Sequence, residues 1–150
     1  MSGSAYLFDT NVWVALAFAS HPLHRSAVAA FAHAAIDRPA IFCRATQLSF
    51  LRVATTAVIL RTYGVRAFTN RDALAALSDF LAVPNVGYRD EPAEAVALWH
   101  RLAASSRASP KLWMDAYLAA FAMTGGYQLV TTDKAFKQFK GLDLLILSKA

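Results

Sequence analysis

Apolar and polar positions fall in short blocks whose period changes along the chain. Ala5-Tyr6-Leu7-Phe8 is an apolar run that stops at a polar turn, the pattern of a buried strand. Asp9-Thr10-Asn11 then offers capping side chains to a helical pattern over Val12 to Ala19, which His21-Pro22 breaks. An alanine-rich helix is expected from His24 to Ile36, ended by Arg38-Pro39, and Ala40 to Cys43 reads as a second buried strand. Thr46 to Arg61 is a long helical stretch closed by Gly64, and Asn70 caps a helix over Asp72 to Leu81. Pro84-Asn85 turns into a short strand, Val86 to Tyr88. Glu91-Pro92 opens a helix through Leu102, with proline in a permitted first-turn position. After the loop Ala104 to Pro110, a helix from Lys111 to Met123 stops at Gly125-Gly126. Tyr127 to Thr131 reads as a strand, Asp133 to Gln138 as a short helix, and Leu142 to Leu147 as a last strand.

Strands alternating with helices predict an α/β fold, a three-layer sandwich with a central, mostly parallel sheet flanked by helices. With no internal repeat, low-complexity segment or linker, residues 1–150 read as one domain. Open sheets of this kind place ligands beyond the carboxyl ends of their strands. Asp9 and Asp133 each fall just past the end of a predicted strand, and Asp115, near the start of a helix, reaches toward the same edge.

Composition narrows the class. A chain that is 57% hydrophobic and 17% charged is not disordered. Its longest uninterrupted apolar run, Val12 to Ala19, is too short to span a bilayer, and Asp9 interrupts the only candidate for a signal sequence. No membrane association and a cytoplasmic location are therefore expected. The lone cysteine, Cys43, lies in an apolar run and reads as a small buried residue; it excludes an intrachain disulfide. The net charge is +5, and the 15 Lys and Arg are scattered rather than gathered in a tail. A basic body around an acidic pocket suits a polyanionic substrate held near a cation.

Asp115 carries the chemical argument. Its helix, Leu112-Trp113-Met114-Asp115-Ala116-Tyr117-Leu118-Ala119-Ala120-Phe121, has almost no polar face, so a carboxylate there is costly unless a cation or hydrogen bonds compensate it. Asp9 and Asp133 taken singly read as ordinary helix caps. Three carboxylates at one edge repel one another unless they share a cation. Oxygen-only ligation favours Mg²⁺ or Mn²⁺ over zinc. Asp9 and Asp115 are the first choices for direct contact, with Asp133 acting directly or through water.

These blocks resemble the PIN-domain family, in particular the VapC-type ribonuclease toxins of bacterial toxin–antitoxin pairs. Tyr6-Leu7-Phe8-Asp9-Thr10-Asn11-Val12 is similar to the family's opening motif, a strand followed by Asp-x-Asn/Ser. Trp113 to Ala120 resembles the helix that carries a further acidic residue, and Leu129 to Phe136 the closing strand with Thr/Ser-x-Asp. His21-Pro22-Leu23-His24 resembles a histidine pair of one branch. The resemblance implies a Mg²⁺- or Mn²⁺-dependent endoribonuclease with catalytic and metal-binding Asp9, Asp115 and Asp133. It also implies a homodimer that acts on RNA and is inhibited by a cognate VapB-type antitoxin. By the same analogy Asn11 and Thr131 orient the carboxylates or the metal's water.

One departure stands out. The family pattern Thr-x-x-Glu-x-x-Arg is here Thr46-Gln47-Leu48-Ser49-Phe50-Leu51-Arg52, which puts Ser49 at the glutamate position. Gln47 is the poorer substitute, because residues two apart do not share a helix face. The loss of one carboxylate predicts weaker metal binding or a greater dependence on the RNA phosphate. Arg52 and Lys134 are candidate contacts for RNA or antitoxin. A haloacid-dehalogenase-like phosphatase also opens with an aspartate after a strand, but it needs a second aspartate where this chain has Asn11. The absent glutamate keeps a second alternative open, a non-catalytic PIN module that binds RNA or a protein partner.

Overall fold

The computed structural model describes residues 4–149. Five short strands, β1 (Tyr6–Phe8), β2 (Ala40–Phe42), β3 (Val86–Tyr88), β4 (Gln128–Thr131) and β5 (Leu144–Ile146), form one sheet in the order β3-β2-β1-β4-β5. Every neighbouring pair is parallel, so the expected mostly parallel sheet is wholly so. Leu7 pairs with Ile41 on one side and Leu129 on the other, which makes β1 the central strand.

Alternation along the strands builds two cores. Phe8, Ala40, Phe42 and Val130 face helices α1 (Thr10–Ala17), α2 (His24–Phe31), α3 (Arg44–Ala54) and α5 (Asn70–Leu81). Leu7, Ile41 and Leu129 face the opposite way, toward α6 (Ala95–Ala103) and α7 (Leu112–Gly125). Trp13 stacks on Phe42 with centroids 3.8 Å apart and an interplanar angle of 9°, and pins α1 to the sheet. Burial on both faces explains why the strands read as plain apolar runs rather than alternating ones.

Helix boundaries depart from expectation where local polar chemistry competes with the helix. The stretch Thr46 to Arg61 is two helices, α3 and α4 (Ala57–Arg61). Thr55 and Thr56 turn their hydroxyls back onto the carbonyls of Leu51 (2.9 Å) and Arg52 (2.6 Å), which closes α3 there. The second helix ends at Phe31 instead of Ile36, because Ala35 and Arg38 pair across a tight reversal. α6 starts at Ala95, later than Pro92 suggested. Thr69, not Asn70, caps α5: its hydroxyl accepts the Asp72 N–H at 3.0 Å, and Asp72 accepts the Thr69 N–H at 3.2 Å. The short helix after Asp133 is a 3-10 helix, Lys134–Gln138.

The chain leaves β1 toward β2 and β3 on one side, and β4 and β5 lie on the other. The crevice between the carboxyl ends of β1 and β4 is therefore a topological switch point. Asp9 follows β1 and Asp133 follows β4.

Candidate active site

Asp9 caps α1. Its Oδ1 accepts the Thr10 N–H at 2.7 Å, and its Oδ2 accepts the Thr131 hydroxyl at 2.7 Å. The carboxylate is only 9% exposed. Burial pushes its pKa up, the two hydrogen bonds pull it down, and the charges of Asp115 and Asp133 raise it again. Asp9 thus senses both other aspartates, and the three predicted residues do converge on one edge.

Asp133 caps the 3-10 helix through Oδ1, which accepts the Ala135 N–H at 2.8 Å, while its own N–H donates to the Thr131 hydroxyl oxygen at 3.1 Å. Thr131, fully buried at the end of β4, therefore ties Asp9 to the Asp133 backbone. Asp115 comes from the first turn of α7, a helix buried on nearly every side, and is also 9% exposed.

Lys111 was not singled out by the sequence. Its Nζ donates to Asp115 Oδ2 and to Asp133 Oδ2, both at 2.6 Å, and so joins α7 to the end of β4. Those two bonds raise the Lys111 pKa and lower that of Asp133, where the Ala135 N–H adds to the effect. The one available signal was the four-residue spacing of Lys111 and Asp115 at the start of an apolar helix.

The remaining predicted residues lie around this cluster. Asn11 is exposed, and its amide has no hydrogen-bond partner among the described residues. Ser49 lines a cleft between α3 and the start of α7 together with Arg52 and Met114, and does not bond to the aspartates. Gln47 is buried and bonds to the Arg44 guanidinium. Arg52 and Lys134 are exposed and form no ion pair among the described residues. Cys43 is buried, with its thiol pKa raised by desolvation, as a structural residue requires. His24 bonds to no carboxylate among the described residues; its Nδ1 meets the Ala15 carbonyl at 2.7 Å, which knits α1 to α2.

Among the described residues no group of three or more His, Cys, Asp and Glu side chains is placed so that it could hold a metal ion. The donor chemistry nevertheless fits a hard divalent ion: oxygen atoms alone, one of them on a buried carboxylate that no ammonium or guanidinium among the described residues pairs. The Lys111 ammonium between Asp115 and Asp133 marks the position as one that attracts a cation.

Comparison with known proteins identifies the family. The PIN domain family model matches residues 6–142. Ribonuclease VapC41 of Mycobacterium tuberculosis, in strains CDC 1551 / Oshkosh and ATCC 25618 / H37Rv, is 46% identical over 146 residues, covering 95% of this chain and 99% of the relative. The crystal structure of VapBC2 from Rickettsia felis, bound to a DNA fragment from their promoter, superposes with a TM-score of 0.71. That match is 15% identical and covers 96% of this chain and 99% of the other, so it shows a shared fold. The chain belongs to the PIN-domain family, in its VapC ribonuclease branch.

Proposed function

We propose that this protein is a divalent-metal-dependent endoribonuclease, the toxin of a toxin–antitoxin pair. The observation that carries the reading is the meeting of Asp9, Asp115 and Asp133 at the switch point of the sheet, where the Lys111 ammonium bridges Asp115 and Asp133. Identity to a named ribonuclease over nearly the whole chain supports it. No described helix is long and apolar enough to cross a membrane.

Asp9 and Asp115 would hold Mg²⁺ or Mn²⁺, with Asp133 directly or through water. When bound, such an ion lowers the pKa of a water and neutralises charge on the phosphate. Thr131 fixes the Asp9 carboxylate, and the Asp133 N–H fixes Thr131. Lys111 balances the charge of Asp115 and Asp133, and its largely exposed side chain would be free to move toward phosphate if an ion took its place. Ser49 supplies a hydroxyl where the family pattern has a carboxylate, so the site carries less negative charge. A homodimer and a cognate VapB-type antitoxin complete the proposal.

A second reading, a PIN module that binds RNA without cutting it, draws on Ser49 and on the Lys111 ion pairs. Mapping RNA ends after brief expression in cells separates the two. Discrete new ends with 5′-phosphates, absent with Asp115→Asn, support the nuclease. No new ends beyond the Asp115→Asn control overturn it.

A further inference from the structure

Next to the carboxylates runs a groove that the chemistry above does not use. Three clefts share their walls along the start of α7. The first, about 410 Å³, is lined by Leu48, Ser49, Arg52 and Met114. The second, about 350 Å³, shares Ala45 and Met114 with it and adds Trp99 and Trp113. The third shares Pro110 and Trp113 with the second and reaches Arg107. Each of the first two falls within the size of ordinary small-ligand pockets, about 300–1,000 Å³.

The groove has an ordered chemistry. Arg52 stands at one end, Arg107 at the other, and Leu48, Met114 and Trp113 lie between them. No Asp or Glu lines any of the three clefts, and neither arginine has an ion-pair partner among the described residues. Ser49 contributes to this: a glutamate there would have stood one helical turn from Arg52 and opposed its charge. The aromatic residues differ in their freedom. Trp99 is held by its indole N–H, which donates to the Trp113 carbonyl at 2.9 Å, and by an edge contact with Tyr117. Tyr117 is held by Glu91 at 2.7 Å. Trp113 has no such restraint on its ring and is 59% exposed. An exposed tryptophan beside exposed Met114 and Leu48 marks an interaction surface rather than core.

Cation, apolar platform, cation is the repeat of a single nucleic-acid strand, in which charged phosphates flank a flat base. We infer that this groove is a nucleotide subsite beside the scissile bond: Trp113 stacks on an unpaired base, and Arg52 and Arg107 take the phosphates on either side. This rests on the ribonuclease reading and names how the substrate strand is held. Such a site prefers unpaired RNA, because a base inside a duplex has no free face to offer. It also explains how a site with one carboxylate fewer keeps its substrate: affinity comes from the groove.

The test uses the full chain and short 2′-O-methyl oligonucleotides, which resist cleavage, in two forms: one with bases and one abasic strand with the same phosphates. Wild type should bind the base-bearing strand about tenfold more tightly, within the range measured for base–aromatic stacking. Trp113→Ala should lose that gap, Trp113→Phe should keep most of it, and Arg52→Ala should weaken both strands and lower the salt dependence. On any RNA that wild type cleaves, Trp113→Ala should raise KM and leave kcat within about twofold, an expectation that follows from its place outside the carboxylate cluster. Equal binding of both strands by wild type, or an unchanged gap in Trp113→Ala, overturns the subsite. So does a Trp113→Ala protein that binds and cleaves RNA normally but no longer captures its antitoxin, since the groove would then serve the protein partner. Failure of the ribonuclease reading looks different: wild type would cut no RNA beyond an Asp9→Ala control, whatever the strands show.

Discussion

The Thr131 hydroxyl donates to Asp9 Oδ2 at 2.7 Å across 122 residues of sequence, in a buried position. That bond joins the two central strands at their carboxyl ends and lowers the pKa of a carboxylate that burial raises.

Replacing Thr131 with valine keeps the shape and removes the donor. One of the two influences that hold the Asp9 pKa down is lost, so the acid limb of the kcat/KM profile should move to higher pH. Leaving a buried acceptor short of a partner costs about 1–3 kcal/mol, which chemical denaturation at neutral pH should show. Thr131→Ser should restore both. An unmoved acid limb in Thr131→Val would remove Thr131 from the account.

Asp9 also predicts a sign change with metal. Its folded pKa is raised above the ordinary aspartate value of 3.8, so its contribution to stability is full below that value and is lost as pH rises through the folded pKa. Without metal, at pH above its folded pKa, ionised Asp9 is a burden, and there Asp9→Asn should melt at or above wild type in a chelator. With Mn²⁺ the order should reverse, because only wild type gains Tm. Asp133 has the opposite sign: its pKa is lowered, and its stabilisation is lost as pH falls below 3.8. A chelator-treated Asp9→Asn that melts well below wild type at pH above the folded pKa of Asp9 would contradict this.

Lys111 competes for the carboxylate oxygens that an ion would use. Lys111→Ala should tighten Mn²⁺ binding a few-fold in calorimetry. It should also lower metal-free stability, because Asp115, only 12% exposed at its side chain, loses its cation partner. Weaker Mn²⁺ binding in Lys111→Ala would make the lysine a partner of the ion rather than its rival.

The Trp13–Phe42 stack holds α1, and with it Asp9, against the sheet. Phe42→Ala should cost about 3–5 kcal/mol in urea unfolding. Trp13→Phe should cost far less than a truncation, because the Trp13 indole N–H is buried with no partner among the described residues and its loss offsets part of the lost packing. Equal losses from the two substitutions would contradict that reading.

Much of this was legible before the fold. Asp9 and Asp133 fell just past runs that read as buried strands, and Asp115 was a charge in a helix with almost no polar face to carry it. Lys111 was not legible, because one of its two partners, Asp133, comes from another element. Trp113 was hidden for a related reason. α7 is apolar all round, so nothing in its periodicity separates the exposed Trp113 from the buried Leu118 and Phe121. The break between α3 and α4 depended on two threonine hydroxyls choosing backbone carbonyls, a competition that apolar spacing does not record.

The central claim is that Asp9 and Asp115 hold a divalent ion that RNA cleavage requires. Titration with Mn²⁺, followed by electron paramagnetic resonance beside a cleavage assay, tests it on one set of samples. The account predicts saturable binding by wild type, loss of at least about tenfold in affinity in Asp9→Asn and Asp115→Asn, and cleavage that follows occupancy. Undiminished Mn²⁺ binding in both variants, or full cleavage by chelated wild type, would contradict it.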